Sequence, residues 1–230
     1  MSVIFVAGTD TGVGKSVITG LLSSYLLGKG YRVITQKWVQ TGCVSFSSDI
    51  DIHLKFMRKK RGDFQDYLAL MQPYIFRFSS SPHLAASLAG KRIEAIKIKR
   101  SLEILTKRFD FVIVEGIGGL LVPLNNKTLL IDVVKELNLP VLMVVGNKLG
   151  AINHTLLSLE ALKARDIKVL GTAFNNIAQN GERIILENNP QIIKKFSSAE
   201  VLGILPWARN CFQLQKQFIP IGNKIIAQYE

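Results

Sequence analysis

The sequence has few of the residues that build metal or disulfide centres. It contains two cysteines and three histidines among 230 residues. Cys43 and Cys211 lie far apart and form neither a CxxC motif nor a Cys/His pattern, so we expect two free, buried thiols rather than a zinc site or a redox pair. The histidines form no HExxH-like cluster. Any bound metal is therefore expected on oxygen ligands.

Long apolar segments are also missing. No run of hydrophobic residues is long enough to span a bilayer. The first apolar run lacks the basic region and the small-residue cleavage site of a signal peptide. We therefore expect a cytoplasmic protein with no membrane partner.

Acidic residues are outnumbered by basic ones, 17 to 29, which gives a formal net charge of +12. Two basic runs, residues 58–61 and 97–100, raise the question of nucleic-acid binding. Their basic residues alternate with apolar positions of expected helices, lack interspersed stacking aromatics and match no nucleic-acid-binding module. Solvated helix faces are the favoured interpretation, and we expect no nucleic-acid partner.

The sequence does contain strand-length apolar runs that alternate with helical stretches. A length of 230 residues with 48% hydrophobic residues fits one α/β domain with a single buried sheet. Continuous Val/Ile/Leu runs are typical of strands covered on both faces, so the pattern predicts a mostly parallel sheet in a three-layer sandwich, like that of P-loop NTPases. The predicted strands are residues 3–7, 33–36, 111–114, 141–145, 169–174 and 201–205. The predicted helices are residues 16–27, 50–60, 153–165 and 182–187.

The first apolar run leads into a glycine-rich turn that ends in Gly14-Lys15-Ser16. Five residues separate Gly8 from Gly14, whereas the usual phosphate-binding motif has four, so this loop is a variant. In such a loop the backbone N–H groups cradle phosphates, the lysine reaches the outer phosphates and the following hydroxyl binds Mg²⁺. The order of strand, turn and helix favours a nucleoside triphosphate site over an ordinary strand-to-helix turn.

Polar residues also follow other strands, at the edge where open α/β sheets bind ligands. Lys37 would add positive charge over a transferring phosphoryl group, or be solvated. Glu115 would be costly near phosphate unless a metal or a donor met it, so Mg²⁺ ligation is favoured over a surface cap. Asp49 or Asp51 could supply a further carboxylate. Spacing alone does not choose between them, and helix N-capping by Ser48 or Asp49 is equally ordinary.

Two later segments carry candidate ligand groups. Asn153 is expected to open a helix whose N-terminus, beside Lys148, would accept a carboxylate or phosphate or simply be capped. Asn175 and Asn176 offer amides that suit a nucleotide base edge, although such pairs are also common turn residues.

Taken together, these motifs resemble those of the dethiobiotin synthetase family, ATP-dependent P-loop enzymes of biotin synthesis. The resemblance runs the length of the chain and rests on residues 8–16, 37–42, 81–83, 114–119 and 148–154. It implies that CO₂ adds to one amine of 7,8-diaminononanoate, that ATP phosphorylates the carbamate, and that the second amine closes a cyclic urea to give dethiobiotin, ADP and phosphate. It also implies a homodimer with the substrate between subunits, in which residues 150–153 of one chain close over the phosphate loop of the other.

The resemblance further implies a role for each site residue. The catalytic residues would be Lys37, Lys15 and Thr11. The nucleotide would be bound by Gly12, Val13, Gly14, Lys15, Ser16, Val17, Glu115, Gly116, Ile117, Gly118, Asn175, Asn176, Pro206, Trp207 and Ala208. The diamine or its carbamate would be bound by Thr11, Lys37, Thr41, Leu149, Gly150, Ala151, Ile152 and Asn153. The Mg²⁺ ligands would be Ser16, Asp49 and Glu115.

The chain departs from the family pattern in three places. Thr41 stands where relatives often have Ser, which keeps the hydroxyl, and Gly12 stands where some relatives have an acidic residue. The segment after Trp207 matches the family less clearly. The resemblance therefore implies least about selectivity for the nucleotide base, and GTP could be accepted in place of ATP.

Two other enzyme classes share the expected sheet. Nucleotide-switched ATPases of the partition or septum-placement type usually carry a second lysine early in the loop, where this chain has Thr9, Asp10 and Thr11, and the chain has no terminal helix with the pattern of a membrane-binding segment. A glutamine-using amidotransferase would need a partner domain with a nucleophilic cysteine. The synthetase is favoured, and the partition-type ATPase is the alternative.

Overall fold

The computed structural model describes residues 2–229. Its strands are β1 (Ser2–Gly8), β2 (Val33–Lys37), β3 (Val39–Thr41), β4 (Tyr74–Phe76), β5 (Phe111–Glu115), β6 (Pro123–Asn125), β7 (Thr128–Leu129), β8 (Val141–Gly146), β9 (Val169–Asn175) and β10 (Val201–Leu205). Its α-helices are α1 (Lys15–Gly28), α2 (Ser48–Met57), α3 (Leu68–Met71), α4 (Pro82–Leu88), α5 (Ala95–Thr106), α6 (Leu130–Glu136), α7 (Ala151–Lys163), α8 (Arg183–Phe196) and α9 (Cys211–Ile226). A 3₁₀ helix spans Arg61–Tyr67.

Six parallel strands form the central sheet in the order β10-β9-β8-β1-β5-β2. The predicted fold class is confirmed, and every predicted strand is present. Five of them extend one or two residues beyond the predicted ends, which makes Gly8, Lys37 and Glu115 strand-terminal residues. Because the strands are parallel, these ends meet at one edge of the sheet, and the register places Lys37 directly opposite Glu115.

Hydrophobic layers cover both faces of the sheet. Alternate residues of a strand point to opposite faces, and in β1 the side chains of Ile4 and Val6 belong to the core under α1 and α9. Phe5 and Ala7 belong to the core under α5, α6 and α7. Burial of a side chain such as Ile4 contributes roughly 1.5–3 kcal/mol. This two-sided burial explains why the strands are apolar throughout, and it gives the predicted three layers.

Several helix ends differ from the predictions. α7 begins at Ala151 rather than Asn153, because Gly150 takes a left-handed conformation (φ 86°) and caps the helix. α8 continues well beyond the predicted end, through Pro190, and its second half is anchored by the buried Ile193.

Helix α2 is capped by Ser47, not by Ser48 or Asp49 as considered from the sequence. The Ser47 hydroxyl accepts a hydrogen bond from the Ile50 N–H at 3.2 Å. The helix also ends earlier than predicted, because Arg58 turns into the left-handed region (φ 54°). With the cap at Ser47, the Asp49 side chain lies within the first turn.

The expectation of buried thiols is wrong, since Cys43 and Cys211 are free but only half-buried. Cys43 lies in the loop before α2, and Cys211 is the first residue of α9.

Across the part of the chain that the structure describes, no helix combines the length and the apolar character needed to cross a membrane.

Candidate functional site

The glycine-rich loop connects the end of β1 to the start of α1. Gly12 and Gly14 both adopt positive φ (74° and 97°), a region that glycine enters at little cost. A Cβ at Gly14 would lie 2.1 Å from the Asn175 amide nitrogen, so any other residue here would collide with β9. The loop therefore leads directly into the N-terminus of α1. There the free backbone N–H groups and the helix dipole favour a bound anion.

Lys15 folds back over this loop. Its Nζ donates hydrogen bonds to the Asp10 carbonyl oxygen at 2.7 Å and to the Gly118 carbonyl oxygen at 3.0 Å. Burial and the neighbouring charge of Lys37 together lower the pKa of Lys15 to about 8, against the opposing effect of Glu115, Asp49 and Asp10. The lysine is thus held at the loop by neutral carbonyl groups, beside the place where phosphates would bind.

Glu115 is the centre of a buried polar cluster. One of its oxygens, Oε1, accepts hydrogen bonds from the Ser16 hydroxyl at 3.0 Å and from Lys37 Nζ at 2.8 Å. Lys37 Nζ also contacts the Gly116 carbonyl oxygen at 2.8 Å and Asp49 Oδ2 at 2.7 Å. Because the side chains of Lys37 and Glu115 are almost fully buried, their pairing is what makes both charges tolerable.

The charges in this cluster stabilise one another. Burial alone would raise the pKa of Glu115, but the charge of Lys37 and a hydrogen bond from His53 lower it to about 2. Burial alone would lower the pKa of Lys37, but Glu115 and Asp49 raise it above its ordinary value. Both side chains therefore carry their charges at neutral pH.

The two aspartates considered from the sequence have different surroundings. Asp49 faces the cluster through its contact with Lys37. Asp51 lies two residues further along α2 and pairs with Arg61 at 2.8 Å on an exposed surface. The structure places Asp49 in the site and Asp51 outside it. That Asp49 is a metal ligand stays a prediction.

The oxygen atoms of the cluster fit a magnesium ion. The Ser16 hydroxyl and Glu115 Oε1 lie 3.0 Å apart, and Asp49 contacts the same Lys37 ammonium group as Glu115. Within residues 2–229 no group of three His, Cys, Asp or Glu side chains forms a complete metal cage. Mg²⁺ does not require one, since it keeps several waters and takes ligands from phosphates, with one or two carboxylates from protein.

A cleft of about 660 Å³ opens above the loop and the cluster. Its walls include the hydroxyl groups of Thr11 and Thr41 and the segment 79–82. The predicted residues that line it are Thr11, Gly12, Gly14, Lys15, Ser16, Val17, Lys37, Thr41, Asp49, Glu115, Ile117 and Gly118. Cationic and hydroxyl groups thus face one space, which suits an anionic ligand.

Other predicted residues lie outside the lining of this cleft. They are Val13, Gly116, Asn175, Asn176 and the segments 149–153 and 206–208. Leu149 is 82% exposed at the tip before α7, and Trp207 is 36% exposed after β10. Their predicted roles stay predictions.

The asparagines at the end of β9 are already engaged by the protein. The Asn175 side chain donates to the Val13 carbonyl oxygen at 3.0 Å and so braces the phosphate loop. The Asn176 side chain accepts from Asn147, whose own amide oxygen accepts from Asn189 on α8. This amide network ties the ends of β8 and β9 to α8.

Sequence reasoning missed His53 and Gln40 at this site. His53 Nε2 lies 2.6 Å from Glu115 Oε2, and Gln40 lines the cleft. One signal was available for His53, because it follows Asp49 by four residues and so shares a face of the helix.

Comparisons with known sequences identify a domain family and several curated relatives. A family model described as an AAA domain matches residues 2–213. The chain is 45% identical over 182 residues to the ATP-dependent dethiobiotin synthetase BioD of Chlorobaculum tepidum, a match covering 79% of this chain and 76% of that protein. It is 42% identical over 173 residues to the ATP-dependent dethiobiotin synthetase BioD 2 of Haemophilus influenzae, covering 75% and 90%.

Solved structures with the same fold are more distant in sequence. The structure of pNOB8 ParA bound to nonspecific DNA superposes with a TM-score of 0.62 at 15% identity, covering 99% of this chain and 98% of that one. The MinC:MinD cell division protein complex of Aquifex aeolicus gives a TM-score of 0.57 at 13% identity, covering 100% and 96%. At such low identities the likeness concerns the fold alone.

Proposed function

The chain belongs to the family of ATP-dependent dethiobiotin synthetases, and we propose that it joins CO₂ to the two amines of 7,8-diaminononanoate at the expense of ATP. The products would be dethiobiotin, ADP and phosphate. The observation that carries this proposal is the pair of buried lysines, Lys15 and Lys37, placed with Glu115 beneath a cleft of about 660 Å³.

The proposed reaction has three bond-forming steps. An amine nitrogen of the diamine attacks CO₂ and loses a proton, which gives a carbamate. A carbamate oxygen attacks the γ-phosphorus of ATP, and the bond from that phosphorus to ADP breaks. The second amine then attacks the carbamoyl carbon and loses a proton, the bond from that carbon to the phosphate oxygen breaks, and phosphate leaves as the cyclic urea closes.

The physical difficulty lies in bringing a carbamate anion to a triphosphate. Two unit negative charges 4 Å apart repel by about 4 kcal/mol at an effective dielectric constant near 20. Lys15 lies at the loop that would hold the outer phosphates, and Lys37 lies next to it at the end of β2. We assign Lys15 to the phosphates and Lys37 to the transferring phosphoryl group and the carbamate, where both hold the reactants together and stabilise developing charge.

Ser16, Glu115 and Asp49 would hold the Mg²⁺ of the nucleotide. When bound, the ion supplies Lewis-acid neutralisation of phosphoryl oxygens. The protein's part is to keep these oxygens in place, which the contacts of Glu115 with Ser16 and Lys37 support.

Thr11 and Thr41 are assigned to the carbamate and the diamine, because their side chains line the cleft beside Lys37. A hydroxyl both donates and accepts, so it can bind an amine or a carbamate oxygen. Asn175, Asn176 and residues 206–208 are assigned to the nucleotide base.

We also propose a homodimer in which residues 149–153 complete the substrate site of the partner subunit. This segment is absent from the lining of its own chain's cleft, and Leu149 at its tip is 82% exposed. A Leu149→Asp substitution is expected to weaken dimerisation and raise the KM for the diamine about tenfold, the effect of losing one strong interface contact. The Ile104→Asp substitution, on the exposed face of α5, is the control. An unchanged dimer and an unchanged KM in Leu149→Asp would exclude this segment from the interface.

The partition-type ATPase receives no further support from the site. Its representatives share the fold at 12–15% identity, whereas the synthetases reach 45%. A switch ATPase would release phosphate without the diamine.

The direct test of the proposed function is phosphate release from ATP with Mg²⁺ and bicarbonate, measured with and without 7,8-diaminononanoate, followed by mass spectrometry of the product. Diamine-dependent release with a product of the mass of dethiobiotin supports the synthetase. Release that ignores the diamine but responds to DNA or lipid would replace it with the switch ATPase.

A further inference from the structure

His53 is a fully buried polar side chain that contacts the site through Glu115. Its relative exposure is 0%, and its Nε2 lies 2.6 Å from Glu115 Oε2. Its other ring nitrogen, Nδ1, has no hydrogen-bond partner among the described residues. The imidazole therefore makes one polar contact, and that contact is with Glu115.

The chemistry of this contact fixes its direction. Glu115 Oε1 accepts hydrogen bonds from the buried ammonium group of Lys37 at 2.8 Å and from the Ser16 hydroxyl at 3.0 Å, and a carboxylate oxygen can only accept. Nε2 of His53 must therefore carry a hydrogen and donate a hydrogen bond to Oε2.

The two oxygens of Glu115 consequently have separate partners. Oε2 is held by His53, whereas Oε1 faces Ser16 and Lys37. Asp49 and His53 are four residues apart on α2, so both side chains lie on the same face of this helix. Asp49 reaches Lys37 as His53 reaches Glu115.

We propose that His53 is a positioning residue, which holds Oε2 of Glu115 so that only Oε1 is presented to Ser16 and to the metal ion of the nucleotide. In this role His53 would act through Glu115, which is its one polar contact. A divalent cation at this place would meet one oxygen of Glu115 instead of two, with the carboxylate plane fixed from the core side. The inference rests on the proposed magnesium site but not on the identity of the substrate.

A purely structural role for His53 would have different consequences. If the imidazole only filled space under β5, its replacement would lower the stability of the fold without a selective effect on metal binding. Groups that orient a metal ligand through a hydrogen bond, by contrast, change metal affinity about 10- to 100-fold when removed.

The experiment measures binding of Mn²⁺, as a paramagnetic substitute for Mg²⁺, to the full-length protein with the β,γ-imido analogue of ATP. Electron paramagnetic resonance gives the free Mn²⁺ directly. His53→Leu removes the donor, His53→Gln places an amide N–H at a similar reach, and His53→Asn carries the same amide one bond short. Leu54→Met, at the buried neighbouring position on α2, is the control for repacking of the core.

We expect His53→Leu and His53→Asn to weaken Mn²⁺ binding about 10- to 100-fold, while His53→Gln and Leu54→Met bind Mn²⁺ nearly as the natural protein does. Affinity for the analogue in EDTA is expected to stay the same in all of them. If His53→Leu does not fold, the Gln and Asn variants, which differ only in reach, decide the same question.

Equal Mn²⁺ affinity in the Gln and Asn variants would overturn the proposal, as would parallel loss of Mn²⁺ and metal-free analogue binding. Both readouts are independent of the diamine. A protein that binds Mn²⁺ as expected but shows no diamine-dependent turnover would refute the proposed function and leave the role of His53 standing.

Discussion

Two parts of the predicted site are built in contrasting ways. At the phosphate end, residues from the ends of β1, β2 and β5 are buried and contact one another, with Lys37 bonded to both Glu115 and Asp49. The other part, residues 149–153 and 206–208, does not line the cleft, and its Leu149 and Trp207 are exposed. The phosphate end is therefore held together by contacts within one chain, whereas these two segments add nothing to the lining of their own chain's cleft.

Electrostatics accounts for this difference. A buried ion costs several kcal/mol unless its partner is already in place, so a cluster such as Lys37 and Glu115 must be formed by the fold itself. Leaving apolar or amide groups without a partner costs much less free energy. Such groups need not be paired before a ligand or a second subunit binds. The phosphate end is thus preorganised, and the predictions below test how far that preorganisation extends.

The largest effect is expected from Lys37→Ala. Loss of this cation should lower kcat about 10²- to 10³-fold, the range seen when one donor to a developing anion is removed, because we propose that Lys37 supplies charge at the phosphoryl group. The assay is steady-state phosphate release with the diamine present. Lys59→Ala, an exposed lysine after α2, is the control. Unchanged turnover in Lys37→Ala would remove this residue from the mechanism.

Asp49→Ala and Asp51→Ala form a matched pair on one helix. Asp49→Ala should reduce turnover about 10- to 100-fold, as for other groups that support a metal site, because it contacts Lys37 within the cluster. Asp51→Ala removes only a solvent-screened surface pair with Arg61, and should leave turnover unchanged. The kcat values of the two variants test which aspartate supports the reaction. A larger loss in Asp51→Ala would place Asp51, rather than Asp49, in the site.

Asn175→Ala tests whether the phosphate loop depends on its contact with the end of β9. It leaves the buried Val13 carbonyl without its donor, which costs about 1–3 kcal/mol, so ATP and GTP should both bind about tenfold more weakly. Nucleotide affinities measured side by side give the answer. An additional loss for ATP alone would come from the base contact proposed for Asn175, and unchanged affinity for both nucleotides would contradict its role in bracing the loop.

The smallest effect concerns pH. The pKa of Lys15 is lowered to about 8, chiefly by burial and then by Lys37, so the side chain is charged below that pH and neutral above it. Metal-free ATP should therefore bind several-fold more weakly at pH 9 than at pH 7, because attraction to the phosphates is lost as the proton leaves. Fluorescence titration in EDTA measures this, with Lys15→Met as the control that should show no such slope. A flat profile in the natural protein would contradict the account.

The phosphate end was largely predictable from sequence because its signals are local or follow from sheet geometry. Lys15 and Ser16 are identified by the order of strand, glycine-rich turn and helix. Lys37 and Glu115 could be placed at one edge because both follow buried parallel strands, although their direct contact needed the pairing of β2 with β5.

Helix phase and packing limited the remaining predictions. The choice of Asp49 over Asp51 needed the position of α2, whose cap at Ser47 sets which side chain faces Lys37. His53 was missed because nothing in the sequence shows that α2 brings this side chain against Glu115 at the end of β5. The amide network of Asn147, Asn176 and Asn189 joins segments far apart in the chain, so no local pattern predicts it.

If the phosphate end activates a carbamate, one oxygen atom of CO₂ must end in the released phosphate. Following that atom tests the proposed reaction most directly. The reaction is started with ¹⁸O-labelled CO₂, the diamine, ATP and Mg²⁺, and the released phosphate is analysed by mass spectrometry at early times. A carbamate oxygen that attacks phosphorus stays with the phosphate when the ring closes, so the account predicts one ¹⁸O per phosphate. Unlabelled phosphate released together with dethiobiotin would contradict it.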